Sequence, residues 1–304
     1  MAEQTGIRTL SVDFGGTRVK IAAVADGCVF ARDMFDVSDG GVQQTLAQLA
    51  DRAKGLMAAH PGSWAGIGFA TPGIVDEDAR RVVSINAKHA GIEQMDLADW
   101  AQRELGLDFK IVNDARAALL GELAYGMGQG ERNAVLMILG TGVGTSAVCE
   151  GRVTRGGHGT HSLLGGHFPI CFDGGRPCNC GGSGCLEAYV GTWALKEMAG
   201  DSTYDYRRLE ADWRKGEPKA VELFRVISRA LGAGALSLVH FFDAETVIFS
   251  GGASRFAALL EAAEAYVLQH AWTPWGKVKF VVSKDPEMSG TLGVHALFAK
   301  GDWR

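Results

Sequence analysis

One imidazole and three thiols recur at short spacing between residues 167 and 185. His167, Cys178, Cys180 and Cys185 form an H-x10-C-x-C-x4-C array, with Gly181, Gly182 and Gly184 between the last two thiols. Tetrahedral zinc takes such a set, and ligands this close in sequence need turn residues that let the backbone fold round the ion. No ligand position is left open, so the expected metal is structural. The competing reading is a disulfide cluster or a group of unrelated buried thiols. Disulfides need an oxidising compartment. The chain begins Met-Ala-Glu-Gln-Thr-Gly, without the basic and apolar regions of a secretory signal, and no apolar run is expected to reach the length of a membrane span. A cytoplasmic setting is therefore expected, where clustered Cys and His read as metal ligands. Cys171 lies inside the same segment and is the alternative ligand. Cys28 and Cys149, in or beside apolar runs, read as small core residues.

Glycine turns between apolar runs offer a second kind of chemistry. Thr9 to Val12 and Val19 to Ala25 are joined by Asp13-Phe14-Gly15-Gly16-Thr17-Arg18, which reads as a β-hairpin. Glycine leaves backbone N–H groups unobstructed for phosphate oxygens, and Asp13 at the strand end is placed to hold a divalent cation. A purely structural turn fits these residues as well. The same order returns where Ala134 to Leu139 runs into Gly140-Thr141-Gly142-Val143-Gly144-Thr145 and out through Ser146 to Cys149. Two such hairpins suggest a duplicated architecture that binds a nucleotide, although neither matches a P-loop or an intact G-x-G-x-x-G fingerprint. Asp114 stands where a strand ending in Asn113 gives way to an alanine-rich helix. It is either a plain N-cap or a functional carboxylate at a strand's C-terminal edge, and both readings stay open.

Strands alternating with helices must carry these residues. Helical patterns cover Val42 to Ala59, Leu97 to Leu105, Ala115 to Ala124, Val190 to Ala199, Ala220 to Leu238 and Ala257 to His270, and a last helix runs through Lys300. Buried strands are expected at Ala65 to Ala70, Val82 to Asn86, Phe109 to Val112, Thr246 to Phe249 and Val278 to Val282. A charged, Trp-containing stretch after Ala199 reads as surface. With 304 residues, 47% hydrophobic and 21% charged, the chain can bury a large core and is long enough for two domains. A net charge of −5 argues against a nucleic-acid surface, which needs clustered Lys and Arg.

Five segments in order resemble the ROK family of repressors, open reading frames and kinases. They are Asp13-Phe-Gly-Gly-Thr17, Val112-Asn-Asp-Ala-Arg-Ala-Ala-Leu-Leu-Gly-Glu122, Leu139-Gly-Thr-Gly-Val-Gly-Thr145, Gly166-His167 leading into Cys178-x-Cys180-Gly-x-x-Gly-Cys-Leu-Glu187, and Val247-Ile-Phe-Ser-Gly-Gly252. The resemblance implies an α/β, two-lobed actin/hexokinase-like (ribonuclease H-like) fold with a structural zinc loop at 166–187. The implied domains are 1–112 with a C-terminal helix at 291–304, and 113–290. It implies an ATP- and magnesium-dependent sugar kinase, forming a homodimer and touching neither nucleic acid nor membrane. Asp13 would hold magnesium and Gly15, Gly16, Thr17 and Lys20 the phosphates. Gly140, Thr141 and Gly142 would form the second phosphate loop, and Gly251 and Gly252 the adenosine pocket. Asp114 would be the general base, with Gly73, Asn86, Asn113, His167 and Glu187 around the sugar.

One departure bears on the substrate. Sugar kinases of the family usually read Gly-Glu-x-Gly-His at the histidine, with the glutamate gripping hydroxyls near the anomeric carbon. Here the segment is Leu163-Leu164-Gly165-Gly166-His167, so Leu164 takes the glutamate's place. His158 and His161, just upstream, are either replacement contacts or solvated loop residues. The alternative to a kinase is a non-catalytic sugar sensor of the same family. Regulators of that family carry a helix-turn-helix ahead of the first phosphate motif, and twelve residues before Asp13 are too few for one.

Overall fold

The computed structural model describes residues 6–85, 89–156 and 163–301. In chain order the elements are β1 (Arg8–Phe14), β2 (Arg18–Ala25), β3 (Cys28–Asp36), α1 (Val42–Ala59), β4 (Gly66–Thr71), β5 (Ile74–Asp76), β6 (Arg81–Ser84), α2 (Leu97–Leu105), β7 (Phe109–Asn113), α3 (Asp114–Tyr125), β8 (Ala134–Leu139), β9 (Val143–Cys149), β10 (Arg152–Val153), α4 (Glu187–Val190), α5 (Thr192–Ala199), α6 (Tyr206–Arg214), α7 (Pro218–Phe242), β11 (Thr246–Ser250), α8 (Ala257–His270), β12 (Lys279–Val282) and α9 (Ser289–Ala299). They divide into two compact units. One is Met1–Gly130 with Val153–Ser162 and Glu287–Arg304; the other is Glu131–Arg152 with Leu163–Pro286.

Each unit is built on a five-stranded sheet, and the two sheets share one topology. The first has the order β3-β2-β1-β4-β7 and the second β10-β9-β8-β11-β12. In both, the leading hairpin is antiparallel and the central strand continues into parallel neighbours: β1 pairs antiparallel with β2 and parallel with β4, and β8 pairs antiparallel with β9 and parallel with β11. The duplicated hairpin in the sequence is thus a duplicated sheet. Central strands such as β4 and β11 are buried along their whole length, as strands covered on both faces must be. Each unit has its own core, one around Phe14, Phe69 and Phe109 and the other around Leu186, Leu231 and Phe249.

The boundary expected between residues 112 and 113 falls inside the first unit. Helix α3 lies against α9 with glycine at the crossing: a Cβ on Gly293 would overlap the Ala117 carbonyl, and one on Gly121 the Ser289 carbonyl. Buried Glu122 of α3 completes the contact by accepting from the Ser289 hydroxyl at 2.6 Å. Backbone approach this close is a tertiary fact, and it keeps α3 with the first sheet.

Other expectations need correction. The charged stretch after Ala199 contains α6, whose Tyr206 and Leu209 are buried while its charges face outward. The helix expected over 190–199 is two pieces broken at Gly191. The strand expected at Val82 to Asn86 is β6, mostly exposed and paired with β5 in a hairpin, and neither β5 nor β3 was anticipated. Helix α7, at 25 residues, is long and apolar enough to cross a membrane by length and composition, contrary to the reading of the sequence. Just over half of its most apolar window is buried, in the core of the second unit. Cys28 is exposed on an edge strand and Cys149 is half-buried, so neither is a plain core residue.

Candidate functional site

In the first unit, the turn Gly15-Gly16-Thr17 links β1 to β2 and brings Asp13 opposite Lys20 across the ladder. Their side chains form an ion pair at 3.3 Å. Burial raises the Asp13 carboxyl above its usual value, and the charge and hydrogen bond of Lys20 oppose that rise. The Gly15 carbonyl is held from below by His89, whose Nε2 lies at 3.0 Å. The ring of this fully buried histidine packs on Phe14 at 4.4 Å between centroids. Sequence reading missed His89, because nothing local marks a histidine that reaches a turn 74 residues away.

At the end of β7 the two readings of Asp114 separate. The cap of α3 is Asn113: its Oδ1 accepts from the N–H groups of Ala115 and Arg116 at 3.0 and 3.3 Å, while its Nδ2 donates to the Gly73 carbonyl at 3.1 Å. Asp114 is the first residue of the helix and accepts from Ala115 N–H at 2.8 Å through Oδ1. Burial lifts its carboxyl to about 6; the Ala115 hydrogen bond opposes the shift and the negative charge of Asp13 adds to it. A carboxylate released from capping, beside a second carboxylate and titrating near neutrality, is suited to move a proton. Gly73, at φ 91°, presents the carbonyl that fixes Asn113. The Asn113 amide, expected at the sugar, is therefore engaged at both ends, while Asn86, expected beside it, lies outside the described residues.

In the second unit the turn between β8 and β9 is Gly140-Thr141-Gly142, closed by Gly140 N–H donating to the Gly142 carbonyl at 3.0 Å. Glu187, the first residue of α4, is buried behind it. Its Oε2 accepts from Val143 N–H at 2.9 Å, and its Oε1 accepts from Asn179 Nδ2 and Trp193 Nε1, both at 3.0 Å. A carboxylate offers about four lone-pair sites, so the sugar contact expected of Glu187 has one acceptor position left. Gly251, at φ 88°, follows β11, and Gly252 opens a single helical turn in which the Ser254 hydroxyl donates to the Gly251 carbonyl at 2.7 Å.

The four expected zinc ligands converge. Their ligand atoms lie within 4.8 Å of one another. Cys178 Sγ is 3.5 Å from His167 Nδ1, and Cys180 Sγ is 3.7 Å from Cys185 Sγ. A tetrahedral zinc with bonds of about 2.3 Å to sulfur and about 2.0 Å to nitrogen has edges of roughly 3.8 and 3.5 Å, whereas a disulfide requires about 2.05 Å. The donor set and its spacing fit zinc, and all six cysteines are free thiols. Burial pushes the Cys178 thiol up to about 12 and raises Cys185, while a backbone hydrogen bond from Gly182 lowers Cys180. Cys171 stays out of the group and donates to the Asp173 carbonyl at 3.1 Å. With Nδ1 turned to the cluster, Nε2 of His167 is the nitrogen left for a ligand. Leu164, at the head of the short turn Gly165–His167, is 58% exposed; His158 and His161 lie outside the described residues.

The chain is 29% identical over 272 residues to a glucokinase of Halalkalibacterium halodurans, covering 81% of this chain and 80% of the relative. It is 28% identical over 306 residues to an N-acetylgalactosamine kinase of Shewanella sp. (strain ANA-3), covering 95% and 97%. Among solved structures it superposes on a ROK family glucokinase from Streptomyces griseus in complex with glucose and AMPPNP, with a TM-score of 0.81, 25% identity and 97% and 100% of the two chains covered. The fold is actin/hexokinase-like, the family model for ROK matches residues 9–301, and the chain belongs to the ROK family.

Proposed function

We propose that the protein is an ATP-dependent sugar kinase that transfers the γ-phosphate to a hydroxyl of a hexose or hexose derivative. The observation that carries this reading is the pair of carboxylates in the first unit, Asp13 and Asp114, with Asp114 raised to about 6 and freed from capping by Asn113. The named activities of the relatives support it. Asp114 accepts the proton of the attacking hydroxyl as its oxygen bonds to the γ-phosphorus and the bond to the bridging oxygen breaks, releasing ADP. Asp13 would hold a magnesium ion, which would supply charge neutralisation at the phosphates. The family resemblance assigns phosphate contacts to Gly15, Gly16, Thr17 and Lys20 in the first unit and to Gly140, Thr141 and Gly142 in the second, with Gly251 and Gly252 for the adenosine. The same resemblance assigns sugar contacts to Gly73 and Asn86 in the first unit, and to Nε2 of His167 and the remaining acceptor of Glu187 in the second. The family resemblance further supports a cytoplasmic homodimer, for which sedimentation is the check. A coupled ADP-release screen across hexoses, amino sugars and their epimers tests the whole reading: saturable, magnesium-dependent turnover is expected with at least one sugar. Sugar binding without turnover on any of them would instead make the chain a sensor.

Leu164 bears on which sugar. Its side chain is exposed, so a substitution there leaves the core untouched. If it stands where a carboxylate otherwise grips hydroxyls near C1 and C2, the missing hydrogen bond to a charged group corresponds to about ten- to a hundredfold in kcat/KM. Wild-type protein should phosphorylate glucose poorly, and Leu164→Glu should shift preference toward glucose by that factor. Efficient glucose turnover by the wild type, unchanged in Leu164→Glu, would remove the residue from the sugar site. Loss of sugar binding in His161→Ala, larger than any effect at Leu164, would move the contact to that histidine.

A further inference from the structure

Three segments of the second unit meet at the Glu187 carboxylate. From the zinc loop comes Asn179, which sits between the ligands Cys178 and Cys180 and donates from Nδ2 to Oε1 at 3.0 Å. From the start of α5 comes Trp193, donating from Nε1 to the same oxygen at 3.0 Å. From the Gly140–Val143 turn comes Val143 N–H, donating to Oε2 at 2.9 Å. The carboxylate lies so close behind the turn that a Cβ on Gly142 would overlap it. Thr192 adds a second tie, its N–H and hydroxyl reaching the Gly140 carbonyl at 3.0 and 2.8 Å. Glu187 is 7% exposed, so these bonds operate away from water, where charge-assisted pairs are strongest.

We infer that Asn179 is a positioning residue that links the zinc loop, through Glu187, to the Gly140–Val143 turn, so that zinc occupancy sets the affinity for nucleotide phosphates. Cys178 and Cys180 would both ligate the zinc, which would fix the backbone of Asn179 between them. The Asn179 amide then orients the Glu187 carboxylate, and the carboxylate fixes the direction of the Val143 N–H and the path of the turn before it. A turn whose N–H groups are already aimed binds an anion without first losing conformational freedom. Loosened at Asn179, the same turn must be ordered by the ligand. The zinc loop thus bears on the Gly140–Val143 turn through Asn179 and Glu187, separately from His167.

This inference rests on the kinase reading only for the identity of the ligand, and its test measures binding without turnover. Isothermal titration of MgATP is carried out on zinc-loaded wild type, Asn179→Ala, Glu187→Gln and the double variant, each checked for zinc content and thermal midpoint. Asn179→Ala should keep one zinc and bind MgATP about tenfold more weakly, the loss of one charge-assisted hydrogen bond. The double variant should be no weaker than Glu187→Gln alone, because the two residues act in series. Zinc content and thermal midpoint of Asn179→Ala should stay at wild-type values while KM for ATP rises, whereas a general loosening of the loop would lower both along with it. Unchanged MgATP affinity in zinc-loaded Asn179→Ala overturns the inference, as do strictly additive losses in the double variant. Wild type that binds no MgATP overturns this inference and the kinase reading together. The expected binding pattern without phosphorylation of any sugar removes the kinase reading alone.

Discussion

Asp114→Asn is expected to reduce phosphoryl transfer by about 10²–10⁴, the range of a positioned base, while sugar binding and the fold persist. Asparagine keeps an oxygen for the Ala115 N–H, and Asn113 continues to cap α3, so the helix start survives the change. Loss of turnover with retained sugar affinity is the signature of a group that acts in the transition state. A variant with more than about a tenth of wild-type kcat would take Asp114 out of the base role. The pH dependence follows from the same carboxyl. A base must be ionised, and Asp114 is raised to about 6 by burial and by Asp13; kcat/KM should therefore fall as pH drops through about 6, and Asp114→Asn should lack that limb.

Stability should move the other way. Between pH 4 and 6 the folded chain holds a proton at Asp114 that the unfolded chain has already released, so the native state loses stability as pH rises through that window. A shift of about two units corresponds to about 3 kcal/mol, fully present above pH 6 and absent below the ordinary carboxylate range. Unliganded Asp114→Asn should be more thermostable than wild type at pH 8, with the gap closing toward pH 4. A variant less stable than wild type at both ends would mean that Asp114 serves the fold rather than the chemistry.

Removal of zinc should have the largest effect on the fold. Structural zinc binds with an apparent free energy on the order of 10 kcal/mol, and the His167–Cys185 segment has few buried apolar residues of its own beyond Cys178 and Cys185. One zinc per chain is expected in protein purified without chelator. Its removal should abolish hydrogen-exchange protection in the loop while leaving the sheet of the first unit protected. Thiols must lose protons to bind the ion, and burial holds Cys178 up at about 12 in its absence, so chelators should strip the metal faster at pH 6 than at pH 8. Cys178→Ser should lose zinc and Cys171→Ser should keep it. Freshly purified protein without zinc, or zinc lost equally in both variants, would overturn the ligand assignment.

The sequence by itself determined whatever a few neighbouring residues can encode. The zinc array was legible because its three cysteines lie within eight positions and glycines mark the turns between them. Both glycine hairpins were legible because strand alternation and turn chemistry are local, and their repetition pointed to the duplicated sheet that the strand order displays. Tertiary structure alone decided matters that depend on residues far apart in the chain. It passed the cap of α3 to Asn113, the role that position alone had favoured for Asp114 over a functional one. It brought His89 under Gly15, kept α3 with α9 through the glycine crossing, and buried α7 in a core where its composition alone would allow a membrane. It turned Glu187 into a junction among three segments up to 44 residues apart. Periodicity and turn propensity act over a few residues, whereas packing and long-range hydrogen bonds exist only once the chain has closed on itself.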